Sequence, residues 1–176
     1  MKTTLILFII PFLFLVGCKT KSIEINKTNT VVEYYKNGNI KSVGNVYDFP
    51  KENYDFRTGL WSTFYENGKL KESGNYKLAT YVECSVGGHV NGYYSYKFGE
   101  WIYFHENGNL KAKGIYKIGT KNIKTSCEGG DNINYGLVDN SWEFYDSNGN
   151  KINPTQSDID KIQESSYISE WDMRKK

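Results

Sequence analysis

The chain has 176 residues and a formal net charge of +2, because 22 basic side chains nearly balance 20 acidic ones. This balance excludes the strongly basic surface typical of nucleic-acid-binding domains, so we expect no nucleic-acid partner. Tyrosine and glycine are abundant, with 15 and 17 residues, whereas proline occurs only 3 times. Such a composition favours β-strands that are joined by tight turns.

The N-terminus, residues 1–17, has the pattern of an export signal. Lys2 is followed by an apolar run over residues 5–16, which is shorter than the ~20 residues that a membrane-spanning helix needs. The sequence Leu15-Val16-Gly17-Cys18 resembles the lipobox of bacterial lipoproteins. That resemblance implies cleavage before Cys18 and attachment of lipid to its sulfur. Two alternatives are an uncleaved anchor helix and an ordinary signal that is followed by a chance cysteine.

The segment after the signal, residues 18–30, is polar and has no periodic pattern, which predicts a tether. More than one acyl chain on Cys18 would anchor the protein stably, because a single chain binds membranes only marginally. We therefore expect a lipid-anchored protein of the bacterial cell envelope that faces the periplasm or the exterior. The membrane is its first expected partner.

A repeated motif fills the predicted central domain, residues 31–153. Two copies, Gly59–Tyr76 and Gly99–Tyr116, share Gly-x-Trp, an aromatic pair, Asn-Gly, Leu-Lys and Gly-x-Tyr in that order. A first copy spans Val31–Val46 with valine in place of tryptophan, and a last copy spans Trp142–Ile152. The Asn-Gly pairs of the four copies are Asn37-Gly38, Asn67-Gly68, Asn107-Gly108 and Asn148-Gly149.

Each copy is predicted to form a β-hairpin, because Asn-Gly between alternating apolar residues favours a two-residue type I′ turn. In the second copy this turn places Trp61 opposite Gly74 and Tyr65 opposite Leu70. An indole can lie across a glycine that has no Cβ, and the third copy repeats the arrangement. The predicted repeat core consists of Trp61, Trp101, Trp142, Gly74, Gly114, Leu70 and Leu110.

The fourth copy is interpreted as having one extra residue in its turn. A three-residue turn over 147–149 would end with Gly149 in the left-handed region. Phe144 would then face Ile152, and both side chains would lie on the side of Trp142. One hairpin cannot bury its own apolar face, so the stacked copies predict an all-β fold, an antiparallel meander of hairpins in one extended curved sheet.

The motif resembles the bacterial variant of the MORN repeat over about four units between Val31 and Ile152. The copies at the two ends depart most from the pattern, as is expected of terminal repeats. Proteins with similar repeats are often labelled antitoxin-like. The resemblance therefore implies a protein that neutralises a partner as one alternative function.

Two inserted segments lengthen the spacing between the later repeats, and each contains a cysteine followed by a Gly-Gly pair. They are interpreted as strand extensions with loops at Ser85–Asn91 and Glu128–Asn134. Cys84 and Cys127 then occupy equivalent positions in neighbouring hairpins, and an oxidising compartment favours their pairing. The loop ends must close a gap of roughly 10 Å to satisfy disulfide geometry. A Cys84–Cys127 disulfide is predicted, and two free thiols are the alternative.

The C-terminal tail, residues 154–176, changes to a helical pattern. Ser157 is predicted to cap the helix, with Asp158 and Asp160 in the first turn, where acidic side chains suit the helix dipole. Ile159 and Ile162 follow the spacing of one helix face. A short α-helix over one sheet face or the last edge strand would block pairing between sheet edges.

No group of residues predicts a catalytic, cofactor or metal site, and we expect a protein that is not an enzyme. His105 stands where Tyr35 and Tyr65 stand in other copies, which identifies it as a repeat variant. His89 lies five residues after Cys84. This pair has no further ligand at the spacing of a metal site.

The leading hypothesis is a membrane-anchored, non-catalytic module that binds a protein or another envelope component. The alternatives are a structural envelope scaffold without a specific ligand and the antitoxin-like protein. Wide exposure of aromatic side chains on one face would favour binding, whereas a face fully covered by the C-terminal helix would favour a scaffold. Tyr93, Tyr94, Tyr96 and Tyr103 are candidates for exposed contacts, although a core role is favoured for most of them.

Overall fold

The computed structural model describes residues 28–47 and 56–168. The predicted export signal, Cys18, most of the predicted tether and the end of the tail lie outside the described residues. Within them, no helix is long and apolar enough to span a membrane. The elements are β1 Thr28–Tyr34, β2 Ile40–Tyr47, β3 Phe56–Phe64, β4 Leu70–Ser85, β5 Gly88–Phe104, β6 Leu110–Ile123, β7 Asp131–Leu137, β8 Glu143–Tyr145, β9 Lys151–Ile152, α1 Gln156–Glu164 and β10 Tyr167–Ile168.

The strands form one open antiparallel sheet in the order β1-β2-β3-β4-β5-β6-β8-β9. The remaining strands lie off this path, since β7 pairs with β6 and β10 pairs with β5. Each strand of the main path is therefore hydrogen-bonded to its neighbour in sequence, except where β7 intervenes. The predicted meander of hairpins with one short C-terminal helix is confirmed.

The repeat turns differ from the predicted two-residue type I′ turn. The Tyr65 N–H donates to the Lys69 carbonyl at 2.8 Å, and the Gly68 N–H donates to the Tyr65 carbonyl at 2.9 Å. Glu66 and Asn67 are thus the central residues, and Gly68 follows them with a left-handed φ of 82°. This is the hydrogen-bond pattern of a type I turn followed by a left-handed glycine.

The register confirms one predicted pair and corrects the other. Trp61 pairs with Gly74, as predicted. Leu70 pairs with Phe64 instead of Tyr65, because the turn takes up more residues than predicted and a register shift follows it. The third copy repeats this pattern, with Trp101 opposite Gly114 and Leu110 opposite Phe104. Leu70 and Leu110 are only half-buried and lie outside the buried core cluster.

The predicted three-residue turn of the fourth copy, with Gly149 in the left-handed region, is confirmed. The third residue is not an extra one, because the other copies have the same turn. The Asp146 N–H donates to the Asn150 carbonyl at 2.9 Å, and the Gly149 N–H donates to the Asp146 carbonyl at 3.0 Å. Asp146 therefore stands where the second copy has tyrosine. The predicted pairing of Phe144 with Ile152 is confirmed, although Phe144 is buried and Ile152 is exposed.

Each repeat glycine lies under an indole, but the indole comes from the next repeat. A Cβ on Gly74 would lie 2.2 Å from the ring of Trp101. Trp61, the predicted partner, instead lies over Gly44, where a Cβ would be 2.3 Å from its ring. Trp142 lies over Gly114 in the same way. These contacts interlock neighbouring hairpins, because no side chain fits between each glycine and its indole.

The tryptophan face of the sheet is closed by α1. Ile162 is buried in the same cluster as the three repeat tryptophans, and Ile159 packs against that cluster. The helix is capped by Thr155 and not by the predicted Ser157, because Thr155 and Asp158 form a reciprocal capping box. Asp158 is the acidic residue of the first turn, and Asp160 lies beyond that turn.

The two insertions form long ribbons of two strands each. Strands β4 and β5 remain paired to Ser85 and Gly88, so the predicted loop at Ser85–Asn91 shrinks to residues 86–87. In the second ribbon, β7 begins at Asp131, and its loop covers residues 124–130 instead of Glu128–Asn134. The ribbons pack together through a second buried cluster of Tyr94, Tyr96 and Ile133.

Candidate functional site

The asparagines of the repeat turns link each hairpin to the next. The Asn67 side chain accepts the Lys69 N–H at 3.0 Å through Oδ1 and donates from Nδ2 to the Glu106 carbonyl at 3.0 Å. Asn37 donates to the Glu66 carbonyl at 3.0 Å, and Asn107 donates to the Ser147 carbonyl at 2.6 Å. These side chains stabilise the stack of turns. The sequence motif therefore carries an interaction between repeats that the hairpin prediction missed.

The residue before each turn has a similar linking role. The Tyr35 and Tyr65 hydroxyls each donate to a carbonyl of the following hairpin at 2.7 Å. In the third copy, His105 Nε2 lies 2.9 Å from the Tyr145 carbonyl. Because a carbonyl only accepts, Nε2 carries the proton in this contact. His105 therefore replaces tyrosine in a structural contact.

A buried ammonium group lies at the centre of the molecule. The Lys97 side chain is 1% exposed, and its Nζ lies 2.8 Å from Glu72 Oε2 in an ion pair. Nζ also contacts the hydroxyls of Tyr103 at 3.1 Å and Ser165 at 3.2 Å, and it lies 4.1 Å from the ring centroid of Trp101. Burial lowers the pKa of Lys97, whereas the Glu72 carboxylate raises it.

The hydrogen bonds around Lys97 continue into the C-terminal segment. The hydroxyls of Tyr103 and Tyr116 lie 2.8 Å apart, and Tyr116 donates to the Ile162 carbonyl at 2.8 Å. Burial raises the pKa of both tyrosines. The backbone N–H of Lys97 donates to the backbone carbonyl of Ser166 at 2.8 Å. This network fixes α1 to the sheet and does not form a reaction site that is open to solvent.

Three of the four tyrosines considered as candidates for exposed contacts are buried, so they are excluded as contact residues. Tyr94, Tyr96 and Tyr103 are buried, because the second ribbon and the C-terminal segment cover this part of β5. Tyr93 is half-buried, and its ring lies 5.8 Å from that of Phe56. Tyr94, Tyr96 and Tyr103 therefore form part of the core, which is the role favoured for most of these tyrosines from the sequence.

The ribbon ends are joined by a disulfide between Cys84 and Cys127, as predicted. Their Cα atoms lie 4.9 Å apart, so the ends close the gap between ribbons. The two positions are not equivalent, because Cys84 lies in β4 and Cys127 lies in the loop 124–130. His89 pairs with Cys84 across β4 and β5. The sulfur atoms and a ring nitrogen of His89 all lie within 4.8 Å of one another, a grouping that sequence spacing missed.

The other face of the sheet carries a shallow apolar groove. It is lined by Leu60, Ile102 and Ile115, among other residues. Side chains alternate across a strand, so these residues lie on the opposite face from the buried tryptophans. Leu60 is 60% exposed and Ile115 is 50% exposed, so the groove has accessible apolar surface. Sequence reasoning missed it, because it considered aromatic residues for binding and not the aliphatic residues beside each tryptophan.

One rim of the groove has charges of both signs. Glu143 Oε1 lies 2.6 Å from Lys151 Nζ, and Glu143 Oε2 lies 2.9 Å from Lys113 Nζ. Hydrogen bonds from these two ammonium groups lower the pKa of Glu143 to about 2, and the bond from Lys151 has the larger effect. Glu143 is therefore ionised throughout the physiological pH range, and the rim offers its carboxylate and the ammonium group of Lys113 to a ligand.

Comparison with known protein families identifies the repeats. The MORN repeat variant matches residues 27–46, 57–78 and 99–117, which correspond to the first three predicted copies. No curated protein and no solved structure matches the chain. The fourth hairpin lies outside the matched ranges but has the same turn and the same tryptophan-over-glycine contact. The chain therefore contains three MORN-variant repeats, followed by a fourth hairpin of the same geometry.

Proposed function

We propose that this protein is a lipid-anchored, non-catalytic binding module of the bacterial cell envelope, with another protein as its ligand. MORN-variant repeats indicate a binding or scaffold module. The helix α1 covers the tryptophan face through Ile162, and this cover by itself favours the scaffold alternative. The observation that favours binding is the open groove on the opposite face, which includes the exposed side chains of Leu60 and Ile115.

The chemistry of the groove indicates what it holds. Its apolar floor is suited to an aliphatic or aromatic side chain of a partner. Lys113 and Glu143 at the rim can contact polar or charged groups beside that side chain. A protein segment presents both kinds of group side by side, whereas a plain glycan lacks the apolar side chain. We therefore assign the groove to a segment of a partner protein.

A groove variant tests this assignment. Replacing Ile115 with Asp puts a charge on the apolar floor, and we expect the partner to be lost in crosslinking from intact cells. Ile118→Asp is a matched control, because Ile118 is 57% exposed on the same strand but does not line the groove. The expected result is one recurring protein that crosslinks to the wild type and to Ile118→Asp at similar yield, and to Ile115→Asp at much lower yield.

The scaffold alternative makes a different prediction for the same experiment. A scaffold without a specific ligand would show no protein whose crosslinking depends on Ile115, while its abundance in the envelope stayed the same in all three forms. That result would overturn the binding function. An antitoxin-like function would be revealed by the identity of the crosslinked partner. That partner would be a toxin that the wild type neutralises and the Ile115→Asp form does not.

The lipid anchor has its own test at Cys18. Replacing Cys18 with Ala removes the sulfur that would receive the lipid, so we expect the protein to move from the membrane fraction to the soluble fraction. Fractionation of cells followed by immunoblotting measures this change. Cys127→Ala is a suitable control, because it removes a different cysteine, one that is paired with Cys84, and should leave the protein membrane-bound. Membrane retention of the Cys18→Ala form would contradict the lipid anchor.

A further inference from the structure

The end of the two ribbons gathers three groups that bind soft metal ions. Cys84 lies in β4, His89 lies opposite it in β5, and Cys127 lies in the loop 124–130. Their sulfur and nitrogen atoms lie within 4.8 Å of one another. Thiolates and an imidazole are the ligands that zinc prefers in proteins, with Zn–S and Zn–N distances of about 2.3 and 2.1 Å. Atoms at this mutual separation can share one ion after a small adjustment.

The disulfide controls whether the ligands are available. In the oxidised form both sulfurs are bonded to each other and neither is a thiolate. Thiol–disulfide exchange with a dithiol transfers two electrons and two protons, so that the dithiol becomes a disulfide and Cys84 and Cys127 become thiols. Binding of Zn²⁺ then displaces both thiol protons to solvent. We propose that the reduced protein binds one Zn²⁺ through Cys84, His89 and Cys127, with water as the fourth ligand.

Hydrogen bonds outside the disulfide keep the ligands together after reduction. The Cys84 N–H donates to Ser126 Oγ at 2.7 Å, and the Ser126 N–H donates to Glu83 Oε2 at 2.7 Å. Both contacts involve Ser126, the residue next to Cys127, and they hold the loop 124–130 against β4. The ladder between β4 and β5 holds His89 opposite Cys84. The site is therefore assembled by the fold as well as by the covalent bond.

The metal would replace one crosslink with another. Under oxidising conditions the disulfide joins the ribbon ends, and under reducing conditions the zinc ion would join the same two segments. The ribbon ends would then stay closed in both redox states. This property belongs to the ribbons and does not depend on the groove, so it can be tested separately from the proposed binding function.

Metal titration of the purified full-length protein tests the site. The protein is reduced with a dithiol, freed of reductant without air, and titrated with Zn²⁺ in competition with a chromophoric chelator. We expect one equivalent to bind to the reduced protein and none to the oxidised protein. Co²⁺ in place of Zn²⁺ should give the near-ultraviolet absorption of thiolate-to-metal charge transfer.

Variants separate the proposed ligands from nonspecific binding. His89→Ala should weaken zinc binding more than about 10-fold, while its oxidised form keeps the disulfide. His105→Tyr is the matched control, because it changes the other histidine to the residue found in the first two repeats, and its affinity should equal that of the wild type. The Cys84→Ser form should show a weaker charge-transfer band, because only the Cys127 thiolate remains as a sulfur ligand. Wild-type affinity in His89→Ala, or equal binding by the oxidised and reduced proteins, would overturn the proposal.

Discussion

Replacing Trp101 with Ala should destabilise the protein by about 3–5 kcal/mol, the cost typical of removing a large buried aromatic side chain. Trp101 is 3% exposed, and it contacts aromatic rings on both sides. Its ring centroid lies 5.2 Å from that of Tyr76 in an edge-on arrangement and 5.9 Å from that of Tyr103 in a stacked arrangement. The substitution would leave a cavity in the middle of the repeat stack.

Three further losses place this substitution toward the upper part of that range. The indole Nε1 donates to the Asn75 carbonyl at 3.2 Å, so the Ala variant would leave this acceptor without its donor. The ring also covers Gly74 and contacts the buried ammonium of Lys97. The losses at Asn75 and Gly74 open part of the interface between the second and third hairpins, because both residues lie in β4.

Denaturant unfolding measures the effect as a change in the free energy of unfolding. Tyr34→Ala is the matched control for removal of an aromatic ring from a strand, because Tyr34 is 62% exposed. Its effect should stay within about 0.5 kcal/mol. Similar losses from both substitutions would show that the tryptophan face is not the packed core of the protein.

The hairpins and their pairing at the tryptophans could be predicted from the sequence because the determinants are local. Asn-Gly identifies a reversal of the chain, and the distance from Trp61 to Gly74 through that reversal sets them opposite each other. The observed turn differs from the predicted one, but the register shift beside it restores the predicted pairing further along the strands, so Trp61 still lies opposite Gly74. The pairing of Leu70 was wrong because it depends directly on the turn.

The contacts between repeats could not be predicted in the same way. The hairpin pattern alone shows which glycine faces Trp101 across its own hairpin, but the ring lies over Gly74 of the preceding one. The choice between these two glycines depends on how the hairpins stack. The bond from Asn67 to the Glu106 carbonyl likewise joins residues of different repeats, so no single repeat contains the information.

In the insertions, one contact could be predicted from the sequence and another could not. The pairing of Cys84 with Cys127 followed from the likeness of the two segments and an oxidising compartment. The position of His89 beside both sulfurs did not follow, since it needs the register of β4 and β5 and the path of the loop 124–130. The helix cap at Thr155 could have been found, because Thr155 and Asp158 have capping-box spacing.

Replacing Lys97 with Met should also destabilise the protein by about 3–5 kcal/mol, although methionine fills nearly the same volume. The ammonium group of Lys97 is the ion-pair partner of Glu72, whose side chain is 18% exposed. Removing one member of a buried ion pair leaves the other charge desolvated and uncompensated. The hydroxyl of Tyr103 also loses a hydrogen-bond donor.

Lys113→Met is the matched control for loss of a lysine from an ion pair. Lys113 lies 2.9 Å from Glu143, but its side chain is 49% exposed, so water compensates the lost charge. Its effect should be much smaller than that of Lys97→Met, because exposed ion pairs contribute little to stability. Denaturant unfolding of both variants measures the change in the free energy of unfolding. The difference between the two changes shows how much of the Lys97 effect comes from burial of the charge and how much from loss of an ion pair alone. Equal effects would show that solvent reaches Glu72 once the ammonium group is removed.

A second substitution identifies the source of the Lys97 effect. If the cost comes from the uncompensated charge on Glu72, then Glu72→Gln should recover part of the stability in the Lys97→Met background, although it destabilises the wild type. Such opposite effects are a coupling between the two residues that additive packing losses cannot produce. Additive losses would instead mean that Lys97 acts through its packing against Trp101, and the ion pair would then have little part in fixing the C-terminal segment to the sheet.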